Sequence, residues 1–487
     1  MLIPKYRTLW TWDQGTCWDQ SLFNRERGPS GKNGRRAMFL QDYKRLVDYA
    51  SAHHYNGVVI WGAVRAHQDG FAQLRELVRY GREKGVRILP GVSAFSYGGV
   101  CYDPRTKFDG VFDYPMEEHP HALYTWLKHH PEYAAQDKNG KPYEYGPFNV
   151  VACPSRSENL EWFKESLAWL YEEFDVDGIQ VEVGDYALCH CPLCRARRHD
   201  AAPQAHYSIS DMLASYQAAY EVSKAHKPDA WVICETYSSV AYDDGGGPRG
   251  DWYGWHAMPQ ADRELLAPLP HDAILQWGMD KAVGGYARHV WPETVYTPTD
   301  DNILRIHAGS QYSKNGPADW GVELAWELAV RARTHDLNGV SLFGEESPFN
   351  PPNEANYLAL EEASGLGADN PDMSLTRFYA QTLDPLYGGA GMAARWRQLY
   401  IKGRMLLLRE KLETKGSSCQ PLERLTDDPD FRTKALTWSD AERIAALEGY
   451  YREARALSAS LSGGACGRWS WLENSLWNIR HIIGTRV

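Results

Sequence analysis

Positive charge is the scarcer kind in this 487-residue chain, with 52 Lys and Arg against 63 Asp and Glu and a formal net charge of −11. Without a basic surplus there is no electrostatic footprint for phosphates, and no nucleic-acid partner is expected. Long apolar runs are also missing. No stretch approaches the roughly 18 residues of a membrane-spanning helix, so no membrane partner is expected either. The opening Met1–Trp10 lacks the charged start and apolar run of a secretory signal, which points to a cytoplasmic protein. Internal repeats and low-complexity tracts are absent. Cysteine is sparse and odd in number at nine, and Cys189, Cys191 and Cys194 crowd together. That pattern suits reduced thiols and a metal better than a disulfide framework. The H-E-x-x-H spacing of a zinc hydrolase does not occur. Composition does not decide between a monomer and a homo-oligomer.

What the chain has in quantity is aromatic surface, with 19 Trp and 29 Tyr. Such rings fill cores, and they also match the flat apolar C–H faces of sugars while keeping a polar tip. Short β-branched or aromatic runs recur at Arg7–Asp13, Gly57–Trp61, Arg87–Val92, Gly178–Val183, Ala230–Cys234, Ala273–Trp277, Ile303–Ala308 and Gly339–Phe343. Amphipathic helical patterns such as Phe39–Ala52, Phe71–Lys84, Glu158–Phe174, Ile209–His226 and Asp319–His335 lie between most of them. Alternation of this kind predicts a parallel sheet, and eight runs predict an α/β fold, a closed (β/α)8 TIM barrel. The long segments 97–149 and 238–258 follow barrel strands, where loops build the active face. Beyond about residue 356 the strand signal stops. Segments Leu375–Leu383, Met392–Leu412 and Asp440–Leu461 read as helices, which predicts a barrel over residues 1–355 and a helical C-terminal domain over 356–487.

The densest chemistry follows the fourth run, in Asp177-Gly-Ile-Gln-Val-Glu-Val-Gly-Asp-Tyr-Ala-Leu-Cys-His-Cys-Pro-Leu-Cys194. Glu182 and Asp185 stand at the C-terminal end of a barrel strand, where catalysis occurs in this architecture. Cys189, Cys191 and Cys194 place three soft ligands within reach of one ion, and tetrahedral zinc needs a fourth. Cys153, in Cys-Pro-Ser before the helix leading into strand 4, is the leading candidate, with Cys101 as the alternative. An all-cysteine zinc site would be structural.

Cys-Pro-Ser before a helix, an acid at the end of strand 4, and a short run into C-x-C-x-x-C together resemble glycoside hydrolase family 42, the zinc-containing β-galactosidases. The resemblance implies a barrel fold, Glu182 as acid/base, and Cys153, Cys189, Cys191 and Cys194 as zinc ligands. Thr334–Gly344 is similar to that family's eighth strand. Two features depart from the family: Val181 stands where its members carry Asn before the acid, and Ile303–Gln311 contains no carboxylate for a nucleophile at the end of strand 7. His130–Tyr133 followed by Asn139–Pro142 is similar to other barrel glycosidase-like proteins. Phe378–Gly389 resembles the helical region after the barrel in α-glucuronidase and hexosaminidase relatives.

Glycoside hydrolysis commonly uses two carboxyl groups flanking the bond. Further strand ends offer Glu235 after the fifth run, Asp280 after the sixth, and Glu345 with Glu346 after the eighth. Glu235 is the expected partner, because it sits directly at its strand end and neighbours Glu182. Sequence leaves retention, inversion and substrate-assisted cleavage all open. Around these acids, Trp10, Asp13, Trp61, Arg65, Tyr186, Tyr237, Trp255, His256, Trp277 and His307 lie at or near strand exits. With Glu346 they form the expected carbohydrate pocket of stacking rings and hydrogen-bonding groups. The competing classes are a lyase, another carbohydrate-active enzyme, and a sugar-binding barrel without catalysis.

Overall fold

A computed structural model describes residues 4–12, 39–67, 69–102, 117–142, 150–182, 189–197, 205–236, 260–278, 295–307, 320–343, 350–365, 374–407, 427–428 and 430–485. The strands are β1 (Tyr6–Trp12), β2 (Gly57–Trp61), β3 (Arg87–Val92), β4 (Gly178–Val181), β5 (Trp231–Glu235), β6 (Ile274–Gly278), β7 (Asp301–His307) and β8 (Gly339–Phe343). All neighbours pair in parallel and β8 returns to β1, closing the barrel. The expected (β/α)8 architecture is therefore the observed one.

The helices of the barrel are α1 (Phe39–Ala52), α2 (Gly70–Glu83), α3 (Leu123–His129), α4 (Ser157–Phe174), α5 (Pro192–Arg197), α6 (Ala205–His226), α7 (Gln260–Glu264) and α8 (Val322–Thr334). The amphipathic pattern of α1 is typical of the set: Phe39, Tyr43, Leu46, Val47 and Ala50 recur at helical spacing and are buried. α3 lies inside the segment expected to be a long loop. β7 starts at Asp301, earlier than its apolar run suggests. The Asp301 carboxylate accepts bonds from Tyr6 Oη (2.5 Å) and Lys5 Nζ (2.8 Å), so a polar residue can join the ladder beside Ile274.

Because parallel strands are covered on both faces, each side-chain row is buried, and parity alone separates lumen from shell. Tyr6, Trp10, Val59, Trp61, Leu89, Ile233, Ile274 and Ile303 form one interior cluster. Leu9, Val58, Ile60, Ile88, Val92, Val232, Leu275 and Leu304 belong to the larger core between strands and helices. The lumen is crowded. A Cβ on Gly91 would fall inside the Trp61 indole, so only glycine leaves that ring its place.

After the barrel come α9 (Pro351–Ala363), α10 (Leu375–Phe378), a π turn at Tyr379–Leu383, α11 (Asp384–Tyr387), α12 (Met392–Leu407), α13 (Phe431–Thr437), α14 (Asp440–Ser460) and α15 (Gly463–Thr485). The expected division between residues 355 and 356 falls inside α9, which is continuous through it. Tyr55 Oη from the barrel bonds the Tyr357 carbonyl on α9 at 2.9 Å. The Trp320 ring packs at a tilt against Trp396 (5.5 Å) and its indole donates to Tyr379 Oη (3.1 Å), and Arg397 pairs with Glu323 at 3.0 Å. Sequence did not single out α15, whose glycine-rich start is a weak helix signal. Its burial of Trp469, Leu472, Leu476, Ile479 and Ile483 at three- and four-residue spacing accounts for it.

Candidate active site and thiol cluster

Glu235 closes β5 and faces the lumen, since it shares the parity of Ile233. Its neighbours are inward residues of three other strands. Gln180 of β4 donates from Nε2 to Glu235 Oε2 at 3.3 Å. Gln276 of β6 donates to the same oxygen, and Arg305 of β7 brings Nε within 3.2 Å of it. The backbone carbonyl of Glu235 accepts from Tyr216 Oη on α6. The side chains of Arg305 and Glu235 are 1% and 0% exposed, so this ion pair lies out of solvent.

Glu182 is the first residue beyond β4. Its N–H donates to the Val92 carbonyl at 3.2 Å, which carries the strand's line one residue further. Continuing the β4–β5 register by that residue sets Glu182 opposite Glu235. Glu182 is buried, and Tyr97 Oη lies 3.4 Å from its Oε1. Tyr97 sits at a left-handed φ of 52° in the turn after β3, and its ring meets Trp61 edge-on at 5.2 Å.

Of the residues expected around these acids, Trp10 and Trp61 are inward and stacked at 6.1 Å. Both spend their indole N–H groups on Gln180 Oε1, at 2.6 and 2.7 Å. Arg65 is buried against the Tyr102 ring at 5.2 Å, and Tyr102 belongs to the interior cluster. Trp277 departs from expectation. Its parity is that of Leu275, so it turns outward into the shell, donates to Asn302 Oδ1 (2.8 Å), and carries the Arg263 guanidinium on its ring at 4.6 Å. Asp13, Asp185, Tyr186, Tyr237, Trp255, His256, Asp280, Glu345 and Glu346 lie outside the described residues, as does the side chain of His307. Tyr97, Gln180, Gln276 and Arg305 were missed by the sequence reading. Polar side chains at the lumen parity of otherwise apolar strands were the available signal.

The second cluster is Cys153, Cys189, Cys191 and Cys194, all buried, with ligand atoms within 4.8 Å of one another. Cys153 Sγ lies 3.5 Å from both Cys191 Sγ and Cys194 Sγ. Four sulfurs at about 2.3 Å from a central zinc would stand about 3.8 Å apart, so the thiols fit such an ion. Backbone N–H groups already point at sulfur, from Gln136 to Cys189 (3.3 Å) and from Cys194 to Cys191 (3.5 Å). Hydrogen bonds from Cys153 and Cys189 push the Cys194 thiol far down. Its bonds to Cys189 and Cys194 push Cys153 far up. Packed this closely, the thiols share negative charge poorly, which is the situation a cation relieves. This buried four-cysteine cluster can hold a metal. The alternative ligand Cys101 instead lies against the Tyr102 carbonyl at 3.9 Å. All seven described cysteines are free of disulfides.

Among the described residues, no helix is long and apolar enough to cross a membrane. No family model matches the chain, and no curated protein matches it. Solved structures do. The chain is similar to a GH138 enzyme targeting pectin rhamnogalacturonan II, at 9% identity and a TM-score of 0.53, covering 99% of this chain and 57% of that one. It thus spans a little over half the length of that enzyme. It is also similar to an O-GlcNAc hydrolase mutant from Thermobaculum terrenum, at 10% identity and a TM-score of 0.46, covering 99% and 83%. A third is alpha-L-fucosidase isoenzyme 2 from Paenibacillus thiaminolyticus, at 13% identity and a TM-score of 0.40, covering 82% and 56%. At 9% identity the first likeness is one of fold, and the resemblance to family 42 stays one of motif.

Proposed function

We propose that the chain is a glycoside hydrolase working at the C-terminal mouth of its barrel, with Glu182 as general acid/base and Glu235 as the carboxylate of the attacking side. The observation that carries this reading is the pair of buried acids at neighbouring strand ends. Glu235 faces a guanidinium and two amide donors, which favour its ionised form. Glu182 is buried with the Tyr97 phenol 3.4 Å from its Oε1, and burial suits a group holding a transferable proton. Glycosidic cleavage needs that division of labour, with a proton for the leaving oxygen and negative charge opposite the oxocarbenium-like centre. Asp185, Asp280 and Glu345 remain the reserve acids, and the aromatic, acidic and His residues around the mouth would bind the carbohydrate.

The same reading gives Cys153, Cys189, Cys191 and Cys194 a structural zinc. With all four positions filled by protein, the ion would supply rigidity to the segment after β4 and take no part in cleavage.

A panel of aryl glycosides tests the proposal. Glu182→Gln should lower turnover of a poor leaving group by roughly 10²–10⁴-fold. The deficit should shrink with an activated phenol, which needs little protonation. A panel left uncleaved, or full Glu182→Gln activity on an unactivated glycoside, would remove the assignment.

A further inference from the structure

The two tryptophans expected to line a sugar pocket use their polar edges inside the barrel. Trp10 Nε1 and Trp61 Nε1 both donate to Gln180 Oε1, at 2.6 and 2.7 Å. An indole nitrogen can only donate, so two of them on one atom decide which end of the Gln180 amide is oxygen. The nitrogen end is left facing Glu235 Oε2 at 3.3 Å. All four side chains are buried.

We propose that Gln180 is a positioning residue: Trp10 and Trp61 clamp its amide so that it presents only a donor to Glu235, which keeps that carboxylate unprotonated and fixed in direction. The inference rests on the reading of Glu235 as the attacking-side carboxylate. An unclamped amide could turn its oxygen toward Glu235 and accept a bond from a protonated carboxyl, accommodating the inactive neutral form. The clamp removes that option. Gln276 Nε2 donates to the same oxygen and the Arg305 guanidinium lies 3.2 Å from it, so two amide N–H groups and a cation converge where an acid proton would otherwise sit. Hydrogen bonds made to the charged form favour it. Gly91 completes the arrangement by leaving room for the Trp61 ring.

Gln180→Glu tests this with almost no change of shape. The new carboxylate still accepts from both indoles but offers Glu235 an acceptor instead of a donor. Two carboxylates in that contact cannot both ionise, so the pair should hold one proton. The first readout needs no substrate. In urea unfolding of the full chain from pH 5 to pH 8, the variant's folding constant should fall by up to about tenfold per pH unit relative to wild type, because the folded pair keeps a proton that an unfolded Glu releases. The second is the acidic limb of kcat/KM on the aryl glycoside cleaved fastest, which should move up by about one to three pH units. Glu235→Gln in the Gln180→Glu background restores a donor–acceptor pair and should abolish the added pH dependence of stability. If Gln180→Glu does not fold, Trp61→Phe frees one side of the amide and should move the acidic limb in the same direction. Stability running parallel to wild type, with an unmoved acidic limb, would overturn the clamp. Full activity of Glu235→Gln would instead overturn the functional reading, and the positioning role with it.

Discussion

Replacing Arg305 by methionine takes the cation from a pair whose side chains are 1% and 0% exposed. Methionine keeps much of the length and apolar volume, so the chief change is one of charge. No solvent screens the partner, and a buried pair broken from one side loses about 3–5 kcal/mol. Against a total stability of about 5–15 kcal/mol, that is a large fraction. The loss also has a pH signature. In the variant Glu235 keeps its amide donors Gln180 and Gln276 but loses the Arg305 cation, so its folded-state proton affinity should rise above the ordinary Glu value of about 4.3. A raised folded pKa means that the folded chain holds a proton the unfolded chain has released. Stability is then complete below about pH 4.3 and is lost as pH rises, until the folded carboxyl itself ionises. Urea unfolding from pH 5 to pH 8 should therefore show a deficit that grows with pH. Adding Glu235→Gln removes the stranded charge and should recover most of the loss. An Arg305→Met variant within about 0.5 kcal/mol of wild type at pH 7, with a parallel pH profile, would refute the reasoning.

Three further outcomes are expected. Elemental analysis should find about one zinc per chain, and Cys191→Ser or a strong chelator should lower the melting temperature; metal-free protein indifferent to both would end the zinc proposal. Burial, then the neighbouring His119, pushes His121 down to about 4 from 6.5, so the folded chain refuses a proton the unfolded one accepts, and stability is lost as pH falls through that window. His121→Gln should shrink the difference in urea midpoint between pH 7 and pH 5, and an unchanged difference would contradict it. Gly91→Ala drives a methyl into the Trp61 indole and should cost about 1–3 kcal/mol while changing tryptophan fluorescence; a neutral result in both would mean the ring has room to move.

The barrel was legible in local patterns along the chain. β-branched runs alternating with amphipathic helices are local patterns, and eight of the twelve barrel elements expected beyond the first strand lie within one residue of those seen, as at Phe39–Ala52, Gly57–Trp61 and Arg87–Val92. It also placed Glu182 at a strand end and three thiols at ligand spacing, because both depend on neighbours in the chain. Which way each strand residue points was settled by closure of the barrel. Both faces of a parallel barrel strand are buried, so apolar character does not separate lumen from shell, and Trp277 turned outward while Gln180 and Arg305 turned in. Partners distant in sequence stayed hidden for the same reason. Cys153 over Cys101, and the Gln180–Glu235–Arg305 contacts, come from chain closure across the barrel. The aromatic surplus divided likewise. Trp320, Trp396 and Trp469 fill the seam and core of the C-terminal helices, where a large ring buries the most apolar area, and composition alone could not tell them from rings at a sugar site.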